Sequence, residues 1–434
     1  MLYNAALPLA AIWARAASLF DEKIAEGLEA RRGLRERWLE KSRRLEGGST
    51  LIWFHVSSVG EFLQARPVID GLQRRHGNDV RIALTFFSPS GMNYYERFDR
   101  SGGNPAVVFT DYLPVDTPSN ARFCIETLRP DAIVYVKFDL WPNLIIEAHA
   151  AGVPQMLVSG TLSPGSRRLR MPAARFYGEL YSRLDTIAAI SEEDAERFRM
   201  HLRGRTRVVT AGDTRYDQVC ERIDSSDVGI PRALSVEEAD ILIAGSTWPP
   251  DERLVVPAFS AIRESRPDTV LVVAPHEPVP PRLEEIEELL DSEGLGHVRL
   301  SMLEGEELDV PVVIADGVGY LAELYRAGTI AYVGGSWTTG VHNVMEPAVL
   351  GLPVFFGPKI ENSREAGGLT ALGAGRVVEK PEELAGAVLH LLEDRALLRA
   401  AGENGRRFVR DGCGAASRCI DLVERLAGIK KGEK

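Results

Sequence analysis

After residue 48 the chain settles into one repeating pattern, a short run of aliphatic and β-branched residues followed by a stretch with helical spacing. Leu51–Val56, Val80–Phe86, Ile133–Tyr135, Gln155–Val158, Thr186–Ala189 and Val208–Ala211 read as strands. Phe62–Arg75 and Leu144–Ala151 read as helices, the second stopped by Gly152. Strands that alternate with helices form parallel sheets wound by right-handed crossovers. Residues 216–236 are polar and without clear periodicity, which predicts a linker. The pattern then resumes, with strands at Asp240–Ala244, Thr269–Ala274, Val310–Ile314, Ile330–Val333 and Leu352–Phe356 and helices at Glu252–Ser265, Arg282–Ser292 and Val318–Arg326. The expectation is an α/β chain of two Rossmann-like domains, 49–215 and 237–410, facing each other across a cleft. Residues 411–434 read as a C-terminal helix and tail, the helix Leu397–Leu426 packing back toward the first domain.

The first 48 residues stand apart. From Met1 to Phe20 the only charge is Arg15, and Pro8 and Arg15 both interrupt a run just long enough to span a bilayer. No basic residues precede the run, so it does not read as a signal peptide. Residues 31–44, RRGLRERWLEKSRR, then set seven basic side chains against two acidic ones. An apolar segment followed by a basic helix suits the inner face of a membrane with anionic lipids, so 1–48 is expected to associate with the membrane. Net charge over the whole chain is −11, which argues against nucleic acid as a partner. Four cysteines without CxxC spacing suggest neither a zinc site nor a disulfide framework.

Ligands of open α/β sheets gather at the carboxyl ends of strands. In the first half, WFHVSSVGEFL ends a strand candidate, with Gly60 read as letting the strand turn sharply and leave Glu61 open as a base. VKFDLWPN places Asp139 at another strand end, where it either pairs with Glu61 or holds it through hydrogen bonds. LVSGTLSPGSRRLR adds Ser163, Ser166, Arg167, Arg168 and Arg170, a density of guanidinium that fits phosphate or carboxylate on an acceptor. In the second half, Gly334, Gly335 and Ser336 follow a strand and let backbone N–H groups approach an anion. GVHNVMEP then brings His342, Asn343 and Glu346 to a helix mouth, Asn343 as a cap and Glu346 as a grip on two ribose hydroxyls. Gly245, Ser246, Thr247, His276, Lys359 and Asn362 lie at the same rim, which predicts a pocket for an anionic, nucleotide-linked ligand.

The motifs HVSSVGE, DLWPN, SRR, AISEEDAERF, GSTWP, VGGS, HNVMEP and FGP stand here in the order found in the 3-deoxy-D-manno-octulosonic acid (Kdo) transferases, and the chain resembles that family from about residue 50 to 410. The resemblance implies a GT-B glycosyltransferase, preceded by a membrane-associating segment. It implies inverting, metal-independent transfer of Kdo from CMP-Kdo to a lipid IVA-type acceptor, without a cofactor, at the cytoplasmic side of the inner membrane. Inner-membrane lipids are then partners. By motif position it makes Glu61 the base and His276, Asn343 and Glu346 nucleotide contacts. The sequence departs from the family pattern at KFDLWPN for ETELWPN, which puts Lys137 and Asp139 at two acid positions, and at APHEPV for PRHPER. GVHN replaces GGHN, and TFFSPSG replaces the threonine-rich stretch at Thr85 to Gly91. A GT-B transferase or epimerase with a UDP-sugar donor, and a non-catalytic sugar- or lipid-binding protein, remain alternatives on the same architecture.

Overall fold

The computed structural model describes residues 2–45, 48–225, 234, 239–303 and 308–429. It divides into two compact units, Met1–Gln218 with Cys413–Lys434, and Val219–Gly412. Each is built on a seven-stranded parallel sheet.

In the first unit β1 (Thr50–Val56), β2 (Val80–Phe86), β3 (Val107–Tyr112), β4 (Ala132–Val136), β5 (Gln155–Gly160), β6 (Thr186–Ala189) and β7 (Arg207–Thr210) lie in the order β3-β2-β1-β4-β5-β6-β7. β1 and β4 are buried from end to end apart from Thr50, and such strands read as unbroken apolar runs because helices cover both faces. The order reverses between β1 and β4, and their carboxyl ends open a crevice there. Trp38, on the helix Leu34–Ser42, is fully buried and packs edge-on against Trp53 at 5.9 Å and Phe109 at 4.9 Å. Its indole N–H donates to the Tyr112 carbonyl at 3.1 Å.

In the second unit β8 (Ile241–Thr247), β9 (Val270–Pro275), β10 (His297–Arg299), β11 (Val312–Ile314), β12 (Ile330–Val333), β13 (Val354–Phe356) and β14 (Gly375–Val377) lie in the order β10-β11-β9-β8-β12-β13-β14. β8 and β12 are the central neighbours, paired from Ile330 against Leu242 to Val333 against Gly245.

Several expectations are corrected. The linker expected from 216 is helical at its start, within Thr214–Ser225; residues 226–233 and 235–238 fall outside the described residues. The single C-terminal helix is two, Arg395–Asp411 and Ala415–Leu426, broken at the pair Gly412 and Gly414, where Gly414 takes φ 94°. Only the second packs on the first unit, burying Cys419, Ile420 and Val423 in its core, while Arg395–Asp411 belongs to the second unit. Gly71, on the helix Val59–His76, makes room for it: a Cβ there would sit 2.2 Å from Ile420 Cδ1.

The N-terminal segment is three helices, Leu2–Ala17, Glu22–Glu29 and Leu34–Ser42. Among the described residues no helix is long and apolar enough to cross a membrane. Leu9, Ile12 and Trp13 are about two-thirds exposed, at 69%, 65% and 66%, and Phe20 is 92% exposed. Much of the basic run does not point outward. Arg31 donates to the carbonyls of Leu113 at 3.1 Å and Phe87 at 2.7 Å, and Arg37 and Lys41 both pair with buried Asp111.

Candidate active site

In the first unit the site grows from the end of β1. Val56 is the last strand residue, Ser57 and Ser58 make the turn, and the helix Val59–His76 follows with Ser58 in the N-cap position. Gly60 therefore lies inside the first helical turn and does not make the turn itself, contrary to the sequence reading. A Cβ there would meet only Ser58 Oγ, at 3.7 Å. Ser58 and Glu61 have the spacing of a capping box, in which the serine would accept a backbone N–H. Here the Ser58 hydroxyl instead donates to Glu61 Oε2, and Ser58 makes no side-chain cap.

The end of β4 supplies the partners. Lys137 Nζ lies 4.0 Å from Glu61 Oε1, and Lys137 takes φ 63°, a left-handed backbone that costs a lysine about 1 kcal/mol or more. Asp139 accepts from the Ser57 hydroxyl and lies 3.5 Å from His55 Nε2. Burial pushes the Asp139 carboxyl up, with the Ser57 hydrogen bond and the Arg168 charge pulling the other way. Two consecutive serines thus hold the two carboxylates, Ser57 taking Asp139 and Ser58 taking Glu61. Neither serine was singled out from sequence: Ser57 is marked by a contact across 82 residues, and Ser58 by a hydroxyl that turns from the cap to Glu61.

Beside this pair Arg168 lies over the rings of Phe138 at 4.7 Å and Tyr177 at 5.3 Å. It borders a pocket of about 550 Å³ with Ser163, Ser166, Arg167 and Phe138. Ser166 Oγ accepts the Arg168 N–H at 3.3 Å and fixes the start of the short helix Arg167–Leu169. Arg170 lies just beyond it, exposed and away from that lining.

In the second unit Gly245, Ser246 and Thr247 end β8, Glu346 lies in the helix Met345–Leu350, and the other predicted residues fall on the loops after β9, β12 and β13. The rings of Trp248, His276 and His342 form a stack, with centroids 5.0 Å and 4.4 Å apart. Trp248 Nε1 donates to His342 Nε2 at 3.0 Å, so the His342 ring is an acceptor there. Burial, then the neighbouring His276, lower the His342 pKa to about 4. Asp251, fully buried, ties two loops together: Oδ2 accepts the N–H of Trp248 at 2.9 Å and of Gly335 at 3.0 Å, and Oδ1 accepts the Tyr332 hydroxyl at 2.9 Å. Neither Trp248 nor Asp251 was picked from the sequence, although Asp251 stands three residues after Trp248 in a helix-start pattern.

Gly335 takes φ 96°, and a Cβ there would lie 2.6 Å from the His342 ring. Gly334 is held by Gly245 O, and a Cβ at Gly245 would meet the Tyr325 hydroxyl at 2.1 Å, so that glycine serves packing. Thr247 is buried with its hydroxyl on Glu252 at 2.8 Å, whereas Ser246 takes φ 53°. Ser336 Oγ is buried and has no hydrogen-bond partner among the described residues. Asn343 Oδ1 accepts the Met345 N–H at 3.1 Å from one position outside the N-cap, which is Val344, so Asn343 is not the cap expected from the sequence. Glu346 receives Arg222 at 3.1 Å, and burial raises its pKa against that charge. Lys359 and Asn362 hold the loop itself, Lys359 through the Thr338 carbonyl at 3.2 Å and Asn362 through the Val341 carbonyl at 2.9 Å. Among the described residues no group of three or more His, Cys, Asp or Glu side chains is placed to hold a metal ion.

Residues 26–218, which carry Glu61, Asp139 and Arg168, match the family model of the 3-deoxy-D-manno-octulosonic-acid transferases. The 3-deoxy-D-manno-octulosonic acid transferase of Haemophilus influenzae is 27% identical over 381 residues, 86% of each chain. The Aquifex aeolicus protein of that name is 29% identical over 348 residues, 79% of this chain and 86% of its own. Along most of its length the chain is similar to the Kdo transferases. It is therefore a glycosyltransferase. The SVGE and DLWPN segments of this chain are the two serine-held carboxylate turns just described. A solved structure of a putative UDP-N-acetylglucosamine 2-epimerase from Listeria monocytogenes is similar with a TM-score of 0.63 at 13% identity, over 89% of this chain and 99% of that one. That likeness concerns the fold, a GT-B-like pair of parallel-sheet α/β units.

Proposed function

We propose that this chain transfers Kdo from CMP-Kdo to a lipid IVA-type lipid A precursor in lipopolysaccharide synthesis, inverting the anomeric centre without a metal ion. The observation that carries the reading is the Glu61–Asp139 pair at the reversal point of the first sheet, within a segment that matches the family. Glu61 takes the proton of the acceptor hydroxyl as that oxygen attacks the anomeric carbon. A single displacement inverts the centre, and the C–O bond to the CMP phosphate breaks as the new one forms. Lys137 keeps a positive charge beside the base, and Arg167 and Arg168 with Ser163 and Ser166 supply acceptor recognition in the pocket, with the exposed Arg170 beyond its lining. The donor falls to the second unit, to Gly245–Thr247, Gly334–Ser336, Asn343, Glu346, Lys359 and Asn362 together with the stacked rings of His276 and His342. The Ser336 hydroxyl, left without a partner, suits a phosphate oxygen.

The reading also places the chain peripherally on the cytoplasmic side of the inner membrane. The exposed Leu9, Ile12, Trp13 and Phe20 are the residues that would enter the lipid interface. Mass spectrometry of lipid IVA incubated with CMP-Kdo, with and without EDTA, tests the proposal. We expect a mass gain of one or more Kdo units that EDTA leaves intact. Glu61→Gln is expected to lower kcat by about a hundredfold or more with an unchanged circular dichroism spectrum. Near wild-type turnover by that variant sinks the base assignment, and transfer from a UDP-sugar in place of CMP-Kdo sinks the donor.

A further inference from the structure

His55 stands one strand position before the end of β1, between Thr85 of β2 and Tyr135 of β4 in the sheet register. It is fully buried among the strands. A leucine would fill such a place without a polar atom, so the imidazole there needs a reason.

The hydrogen bonds supply one. Thr85 Oγ1 accepts the indole N–H of Trp53 at 2.8 Å, and an indole nitrogen is only ever a donor. The same oxygen lies 2.9 Å from His55 Nδ1. We assign the threonine's one proton to Nδ1, the acceptor that this hydroxyl meets among the described hydrogen bonds, and the proton of the neutral ring then sits on Nε2. Nε2 is buried, has no hydrogen-bond partner, and points at Asp139 Oδ2 from 3.5 Å. Trp141, in the same loop as Asp139, meets the imidazole edge-on at 5.7 Å. Burial foremost, and the Arg31 charge after it, depress the His55 pKa to about 3. The ring is a fixed neutral donor and takes no part in moving protons.

We propose that His55 is a positioning residue for the transfer: its Nε2–H holds Asp139, which with Ser57 fixes the turn from which Ser58 presents Glu61. The 3.5 Å separation is that of a contact that tightens when substrate orders the loop, as catalytic hydrogen bonds do. The chain Trp53–Thr85–His55–Asp139–Ser57 runs from the core of the first sheet to the carboxylate pair. Supporting partners of this kind change rates by about 10- to 100-fold where they have been removed from other sites. The inference rests on the proposed function, since it assigns Asp139 and Glu61 to the reaction.

The test compares four variants with wild type in the CMP-Kdo and lipid IVA assay, each checked for an unchanged melting temperature. Glutamine keeps a donor near Nε2, whereas asparagine reaches only toward Thr85. We expect His55→Gln to stay within about fivefold of wild-type kcat and His55→Asn to lose about 30- to 100-fold, both with KM for either substrate within about twofold. The double variant His55→Asn with Asp139→Asn is expected to be no slower than Asp139→Asn alone, because the histidine acts through the aspartate. Equal kcat for the Gln and Asn variants, or losses that multiply in the double variant, overturns the proposal. If His55→Asn does not fold, His55→Leu, which carries no polar atom to strand, takes its place with the same expectations. An inactive wild type overturns the proposed function and this inference with it, whereas an active wild type with indifferent His55 variants overturns this inference alone.

Discussion

Tyr3 donates its hydroxyl to Asp116 Oδ2 at 2.9 Å, and Asp116 also accepts the N–H groups of Asn143 at 2.9 Å and Leu144 at 3.0 Å. One buried carboxylate therefore ties the exposed N-terminal helix to the start of the helix Pro142–Ala150, directly after the Asp139 loop. Asn4 adds a second tie, its Oδ1 accepting from Asn143 Nδ2 at 2.8 Å. Tyr3→Phe removes one hydrogen bond to a carboxylate, worth about 1.5 to 3 kcal/mol. We expect the helix Leu2–Ala17 to open more often, read as faster proteolysis between residues 17 and 21, with the global melting temperature shifted by only a few degrees.

Asp251 joins the loops after β8 and β12. Asp251→Ala leaves two backbone N–H groups and the Tyr332 hydroxyl without their acceptor, and should cost about 3 kcal/mol. Because the affected loops carry the ring stack and Ser336, the variant should also lose CMP binding by about tenfold or more. A thermal-shift titration with CMP checks both.

How much of this was legible beforehand depended on whether the signal was local. β2 and β6 were read with their observed limits because apolar residues dominate each. β3 was passed over: Thr110 and Asp111 interrupt it, and Val108 is exposed on its outer face. β10 and β14 are three-residue strands at sheet edges, too short for any periodicity. Glu61 was legible because a strand end followed by a carboxylate is a local pattern. His55 was not, since its meaning lies in Thr85 and Asp139, 30 and 84 positions away along the chain. Gly60 misled for the same reason: the residues that turn the chain, Ser57 and Ser58, are ordinary until their hydroxyl partners are known.

Lys137 holds its place against its backbone preference. Lys137→Gly relieves the left-handed φ and removes the charge beside Glu61. The expected result is a stability gain of up to about 1 kcal/mol with a clear loss of transfer activity. Lys137→Ala should lose the activity without the gain. Denaturant midpoints set against specific activity distinguish the two.

Stability should fall on mild acidification through His342. Its folded pKa of about 4 lies below the unfolded value of about 6.5. The unfolded chain therefore binds the proton first, and the stabilisation is whole above about pH 6.5 and lost as pH falls toward 4. The slope per such histidine is about 1.4 kcal/mol per pH unit. His55, lowered to about 3, adds to it in the same direction. The buried carboxyls Asp116, Asp139, Asp251 and Glu346, all raised, work the opposite way. Urea titrations of wild type and His342→Gln between pH 7 and 4.5 isolate the term, since the variant should show the shallower slope.

The exposed apolar side chains of the first helix give a further check. Ile12→Ser with Trp13→Ser should weaken binding to anionic lipid vesicles by about tenfold or more, measured by co-sedimentation, without altering the melting temperature.

The helix Ala415–Leu426 lays Cys419, Ile420 and Val423 into a core whose other walls are made by residues translated hundreds of codons earlier. On the ribosome that first sheet must wait, its Gly71 groove open, while the whole of Val219–Gly412 is made. The later-translated unit is free to complete its fold first, and the earlier one closes only near the end of synthesis. A premature stop codon just after residue 412 would thus harm not the half in which it falls but the half that carries Glu61.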